Sequence, residues 1–184
     1  MEHLGNRGTV TLNIDDLVAG DGVSFARAFA QNPVSTPSRC SFMTGWYFHV
    51  RGHRTMHYML QPDEPMLLRI LKEHGYFVWW GGKNDLVPAE GGFTDYCDVR
   101  YVPKEPVEPF WQPEPEEGWR EGNRYYSFLR GRIGQADKGE RYHDPDWAAV
   151  EGASDLIRHT PADRPFAIFL ALVYPHPPYA VEEP

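Results

Sequence analysis

The chain has 184 residues, with 18 Lys+Arg against 26 Asp+Glu and a formal net charge of -8, which disfavours a phosphate-backbone binder and fits one acidic globular domain. Hydrophobic residues at 41% and aromatics at 14% suffice for a packed core and are too many for a disordered tail. Two cysteines, Cys40 and Cys97, exclude a disulfide framework, and no C-x-x-C pair is present to form a zinc knuckle.

Met1 to Val10 is polar and lacks the apolar centre of a signal peptide. Asn13 to Ala19 reads as a short helix opened by an Asn cap and stopped near Gly20, and the alternation from Val23 to Ala30 reads as a strand. In the stretch from Asn32 to Gly45, Thr36 is a candidate N-cap and Pro37 an N1 residue for a helix continuing through Phe42 and Met43, which puts Ser35 just ahead of a helix N-terminus. Pro65 to His74 carries Met66, Leu67, Ile70 and Leu71 at helical spacing, ends at Gly75, and is followed by a buried strand at Tyr76 to Trp80.

From about Gly91 to Arg141 periodicity lapses. Pro103, Pro106, Pro109, Pro113 and Pro115 alternate with acidic residues, so the segment reads as an irregular insertion, either functional or mobile. Its aromatics Phe110, Trp111, Trp119, Tyr125 and Tyr126 lie near Arg120, Arg124, Arg130 and Arg132; anchoring of the loop on the body is favoured over a stacking surface for bases or sugars. A second helix-to-strand unit follows, with a helix from Asp144-Pro145 to about His159 and a core strand at Phe166 to Tyr174. That strand is the longest apolar run and is too short to cross a bilayer, so no membrane partner is expected and the chain as written reads as cytoplasmic. Repeated helix-to-strand alternation with unbroken apolar strands predicts an α/β fold with a mostly parallel sheet flanked by helices.

Chemistry concentrates in Pro33-Val34-Ser35-Thr36-Pro37-Ser38-Arg39-Cys40-Ser41-Phe42-Met43-Thr44-Gly45. This run resembles the signature of the type I, formylglycine-dependent sulfatases of the alkaline phosphatase superfamily, in which a Cys or Ser opens a C/S-x-P-S/T-R run that continues to a Thr-Gly. The resemblance implies that Ser35 is oxidised to formylglycine by a maturation enzyme. The hydrate offers two hydroxyls on one carbon: one attacks the sulfur of a sulfate ester, the other lets the product collapse back to the aldehyde, where plain serine would remain a stable ester. Arg39, one helical turn on, would clamp the developing charge, and Cys40 reads as a buried helix residue rather than a nucleophile.

The resemblance extends along nearly the whole chain. Thr11 to Leu17 with Gly22 to Phe25 is similar to the family's lead-in to the nucleophile, with Leu12 in place of Pro; Asp15-Asp16 is then a solvated helix surface and not a metal pair. Leu71 to Tyr76 leading to Gly81-Gly82-Lys83-Asn84-Asp85-Leu86 resembles the second signature, which places Lys83 on the sulfate and Asp85, where many members have His, beside the substrate. This Gly-Lys is not a P-loop, because Phe77 holds the first glycine position and Asn84 replaces Ser/Thr. Pro175-His176-Pro177-Pro178-Tyr179 resembles the family's Pro-His-x-P-Y/F turn, in which His176 would bind sulfate and protonate the leaving alkoxide. His53, in Arg51-Gly52-His53-Arg54, is a further candidate substrate contact, equally readable as part of a basic surface turn; His49, His53 and His57 have i,i+4 spacing but no accompanying acid for zinc.

Family members also hold a divalent cation, usually Ca2+, through an acidic pair ending the first central strand and an Asp with Asn or His from later in the chain. Of those ligands only Ser35 is represented, and six to eight oxygens are the norm for Ca2+. The expectation is therefore a partial sulfatase catalytic domain over residues 1–184, with the irregular insertion at about 91–141, acting on a small-molecule or glycan sulfate ester. An export signal ahead of a missing first strand would make it periplasmic or secreted. The rival readings are a phosphate or phosphonate ester hydrolase with unconverted Ser35, and a non-catalytic remnant or binding module.

Overall fold

A computed structural model describes residues 11–53, 55–103, 145–160 and 163–176, together with the backbone of strands at 128–131 and 179–182. Helix α1 spans Leu12–Ala19 and α2 spans Ser35–Thr44. Helix α3, Leu67–Glu73, leads into strand β1, Phe77–Gly82, and a short strand β2 follows at Val99–Arg100. Strand β3 is Phe128–Gly131, α4 is Pro145–Arg158, β4 is Phe166–Ala171 and β5 is Tyr179–Glu182.

The main sheet has the order β2-β1-β4 and every pairing in it is parallel. Strand β1 lies in the middle and is covered on both faces, which is why Phe77-Val78-Trp79-Trp80 is apolar without alternation. Val78 and Trp80 point into a core shared with Cys40 and Met43 of α2, Leu68 of α3, and Leu60, Met66, Leu86 and Val87 from the connections. Trp79 faces the other way and stacks on Tyr101, whose ring in turn lies against Gly152 of α4. The expected α/β architecture is thus present, with α2 and α3 on one face and α4 on the other. A separate parallel pair, β3 with β5, was not anticipated from the sequence.

Several boundaries differ from expectation. Helix α1 is preceded by Thr11 rather than capped by Asn13; the Thr11 hydroxyl donates to the Asp15 carboxylate at 2.9 Å. Helix α2 begins at Ser35 behind Val34, so Thr36 lies inside the first turn and caps nothing. Residues 23–30 form no strand: a strand needs a hydrogen-bonded neighbour, the described residues offer none, and Phe25 and Phe29 are 77% and 86% exposed. In α3, Leu68 is buried while Leu67 and Ile70 are exposed, because the core grips the helix through Met66, Leu68 and Leu71. Gly75 ends it with φ 88°, the N–H of Tyr76 closing onto the Leu71 carbonyl at 3.0 Å. Within the stretch expected to be irregular, Tyr96 and Cys97 are buried in the core and Val99–Arg100 joins the sheet; its aromatics from Phe110 to Tyr126 lie outside the described residues.

The register of β1 on β4 runs from Phe77 opposite Phe166 to Gly82 opposite Ala171, so the two strands end together. At that end Gly82 adopts φ 80°, and a Cβ there would stand 2.1 Å from the Ala171 carbonyl oxygen. Gly82→Ala therefore combines a left-handed backbone with a backbone clash and should lower stability by about 3 kcal/mol. Gly91→Ala, whose Cβ meets nothing within 4 Å, should stay within about 0.5 kcal/mol, with urea-melt midpoints as the comparison.

Candidate active site

The loops leaving β1 and β4 emerge together at the C-terminal edge of the sheet, and the start of α2 is linked to the first of them through the loop carrying Met56. Val34 donates its N–H to the Asn32 side chain at 2.8 Å, and Ser38 makes the first intrahelical bond of α2 to the Val34 carbonyl at 3.0 Å. Pro37 has no N–H to satisfy. Among the described residues, the N–H groups of Ser35 and Thr36 are consequently left without an acceptor, at the positive end of the helix dipole.

Ser35 is half-buried in that first turn, and its Oγ lies 2.9 Å from the Met56 sulfur. Thr36, fully buried, reaches the Met56 carbonyl at 3.5 Å. Arg39 lies one turn along on the same face as Ser35 and is half-buried. No carboxylate among the described residues pairs with it.

Lys83 follows β1 directly. Its N–H donates to the Ala171 carbonyl at 2.6 Å, continuing the β1–β4 ladder by one step. Its ammonium is 2.9 Å from Asp85 Oδ2, with the two side chains 22% and 15% exposed. Among the described residues that oxygen has no aligned hydrogen-bond donor, yet at this separation the attraction of opposite charges holds regardless of angle, and the contact is an ion pair. Asp85 adopts φ 46°, and the preceding Asn84 fixes the turn by accepting from the N–H of Leu86 and Val87. The loop carrying Met56 is tied to this turn through the Leu60 N–H, which donates to the Leu86 carbonyl at 2.8 Å. Ser35 and Lys83 make no direct bond; they are joined through these two loops.

His176 is half-buried in the turn that follows β4, its N–H donating to the Val173 carbonyl at 3.0 Å. It therefore stands beyond the same strand ends as Lys83. His53 departs from expectation. It is turned inward and buried, with Nδ1 2.6 Å from the Tyr58 carbonyl and Nε2 2.8 Å from Glu64 Oε1, so both nitrogens are engaged and neither reaches a substrate. A carbonyl only accepts, so Nδ1 is the donor to Tyr58, and Nε2 faces the fully buried Glu64 carboxyl. Glu64 also accepts from the Gln61 N–H at 2.7 Å. The pair is a brace for the loop that places Met56 on Ser35.

Four supporting residues escaped the sequence reading. Met56 and Glu64 are non-local partners with no motif to announce them. Arg100 in β2 donates to the Trp80 and Gly82 carbonyls at 3.1 and 2.6 Å and lies over the Trp80 and Phe93 rings, fixing the backbone from which Lys83 projects. Asp146 in the first turn of α4 binds the backbone just ahead of His176.

Oxygen ligands for a hard cation are not gathered here. Among the described residues no three His, Cys, Asp or Glu side chains converge, and Asp16 is exposed on α1. These residues alone do not fit a six- to eight-coordinate Ca2+. No helix among them is long and apolar enough to cross a membrane.

Comparison with known proteins gives this geometry a context. The family model described as Sulfatase matches residues 2–184. The chain is 26% identical to arylsulfatase K of Gallus gallus over 187 residues, covering 97% of this chain and 31% of that protein. It is 36% identical to steryl-sulfatase of Homo sapiens over 104 residues, covering 50% of this chain and 18% of that one. The solved structure of BT4656 in complex with its substrate D-glucosamine-2-N,6-O-disulfate superposes with a TM-score of 0.63 at 19% identity, over 96% of this chain and 32% of that chain. The fold is accordingly sulfatase-like, and the chain spans less than a third of the length of these relatives.

Burial pushes the Cys40 thiol up to about 12, with the nearby Glu64 charge acting in the same direction, and burial also raises Cys97. Both are then protonated at pH 8, and the thiol is a poor nucleophile. The folded chain should resist iodoacetamide at both cysteines and take up two labels after denaturation; rapid labelling of Cys40 in the folded chain would contradict its placement.

Proposed function

We propose that this chain, which belongs to the sulfatase family, is the nucleophile-bearing part of a sulfuric ester hydrolase acting through Ser35 in its formylglycine form. The observation that carries this reading is the first turn of α2. There Ser35, two backbone N–H groups and Arg39 share one helix end, and among the described residues the N–H groups have no acceptor and Arg39 no carboxylate partner. A half-buried guanidinium beside free N–H groups is a receptor for a tetrahedral anion.

Converted Ser35 supplies a carbon bearing two hydroxyls, which permits turnover where a serine ester would persist. Arg39 and the N–H groups of Ser35 and Thr36 hold sulfate oxygens. Lys83 presents its ammonium to the same anion, with Asp85 orienting it and facing the alcohol portion of the substrate. His176 delivers a proton to the departing alkoxide. Ser35 would contribute one oxygen ligand to a Ca2+ whose other ligands are not among the described residues. The substrate is a sulfate ester of a small molecule or glycan, in keeping with the sulfated glucosamine bound by the solved relative. A formylglycine-generating enzyme is the required partner.

The intact natural polypeptide, made in a host with a serine-type maturation enzyme, should hydrolyse p-nitrophenyl sulfate, and Ser35→Ala should lower kcat by more than about 1,000-fold. Faster hydrolysis of p-nitrophenyl phosphate than of the sulfate, from protein whose Ser35 is unmodified, would favour the phosphate ester hydrolase instead. Equal rates in wild type and Ser35→Ala would point to a non-catalytic module.

A further inference from the structure

We infer that Asp146 is a positioning residue for His176, holding the turn that carries the imidazole against the N-terminus of α4. The inference rests on the sulfatase reading for the role of His176, and on geometry for the coupling. Asp146 is the second residue of α4 and is only 7% exposed. One of its oxygens accepts from the Val173 N–H at 2.8 Å; the other accepts from the same N–H at 3.0 Å and from the Tyr174 N–H at 2.8 Å.

These N–H groups lie two and three residues beyond the end of β4, where the ladder to β1 has stopped. The next bond in the chain is the His176 N–H donating to the Val173 carbonyl. A single carboxylate therefore fixes both sides of the Val173 peptide unit from which the histidine turn is built. Charge-assisted bonds to backbone N–H are stronger than neutral ones, and a carboxylate in the first turn of a helix is further favoured by the dipole. The other buried side chains of α4 are Ala148, Ala149 and Ala153, which carry no polar group.

The arrangement parallels the one at β1, where Arg100 secures the carbonyls beside Lys83. At β1 a cation holds carbonyls; at β4 an anion holds N–H groups. Each strand end that carries a proposed sulfate-binding side chain is thus pinned by a side chain of the opposite polarity, half-buried in Arg100 and buried in Asp146.

The test is NMR of the full chain labelled at histidine, with the His176 signal assigned by His176→Gln and inorganic sulfate as the probe. Asp146→Asn keeps the shape but sets an amide N–H against the backbone N–H groups. It should displace the unliganded His176 ring signal and raise the sulfate concentration at half-saturation about tenfold. Asp146→Ala should do the same to a greater degree. Asp155→Asn, at the exposed end of the same helix, should leave the signal in place. An unmoved His176 signal in Asp146→Asn, with only the melting temperature reduced, would overturn the proposal and leave Asp146 as a simple staple; that variant decides if the alanine variant does not fold. Absence of any sulfate response in the wild type would instead count against the sulfate-binding role of His176, while displacement of the unliganded signal would still establish the positioning.

Discussion

The parallel register between β1 and β4 is the constraint on which the rest depends. Because Gly82 lies opposite Ala171, both strands stop at the same level and both outgoing loops emerge on one edge. Parallel strands leave their side-chain-bearing turns at a common end, and that end is where such folds bind ligands. The close approach of Gly82 to the Ala171 carbonyl, together with the Lys83 N–H on the same oxygen, is the last contact of the ladder. Shifting that pairing by one residue would reverse the faces of Trp79 and Trp80 and carry Lys83 away from the turn that holds His176.

Around this edge, polar groups are used in two distinct ways. Arg100, Asn84, Glu64 with His53, and Asp146 are spent on the backbone: each satisfies carbonyls or N–H groups that irregular chain would leave unpaired near the core. Arg39 and the first N–H groups of α2 are not spent at all among the described residues. The contrast is informative. A half-buried guanidinium and a helix end left open together, among so many satisfied backbone groups, are what the proposed sulfate site requires.

Much of this was legible in the sequence where the determinants are local. The Ser-Thr-Pro-Ser-Arg run announces a helix start, Gly75 and the apolar run after it announce α3 and β1, and the Pro145 start of α4 is correct to the residue. The resemblance to sulfatases singles out Ser35, Arg39, Lys83 and His176 as candidates; the first two lie on α2 and the others in the loops that follow β1 and β4. What failed was non-local. Residues 23–30 alternate as a strand should, but alternation does not supply a partner. His53 reads as a basic loop residue until Glu64 and Tyr58 are seen to enclose it. Asp146 and Arg100 have no signature, since their partners are backbone groups 27 and 18 residues away.

The chemical state of Ser35 decides between a sulfatase nucleophile and an ordinary serine. The most direct measurement is the mass of the tryptic peptide containing it, from protein made in its native host or beside a serine-type maturation enzyme. The account predicts a peptide lighter by two hydrogens that reacts with a hydrazide, and that loses both properties in Ser35→Ala. A fully unmodified, hydrazide-inert serine peptide under those conditions would contradict it.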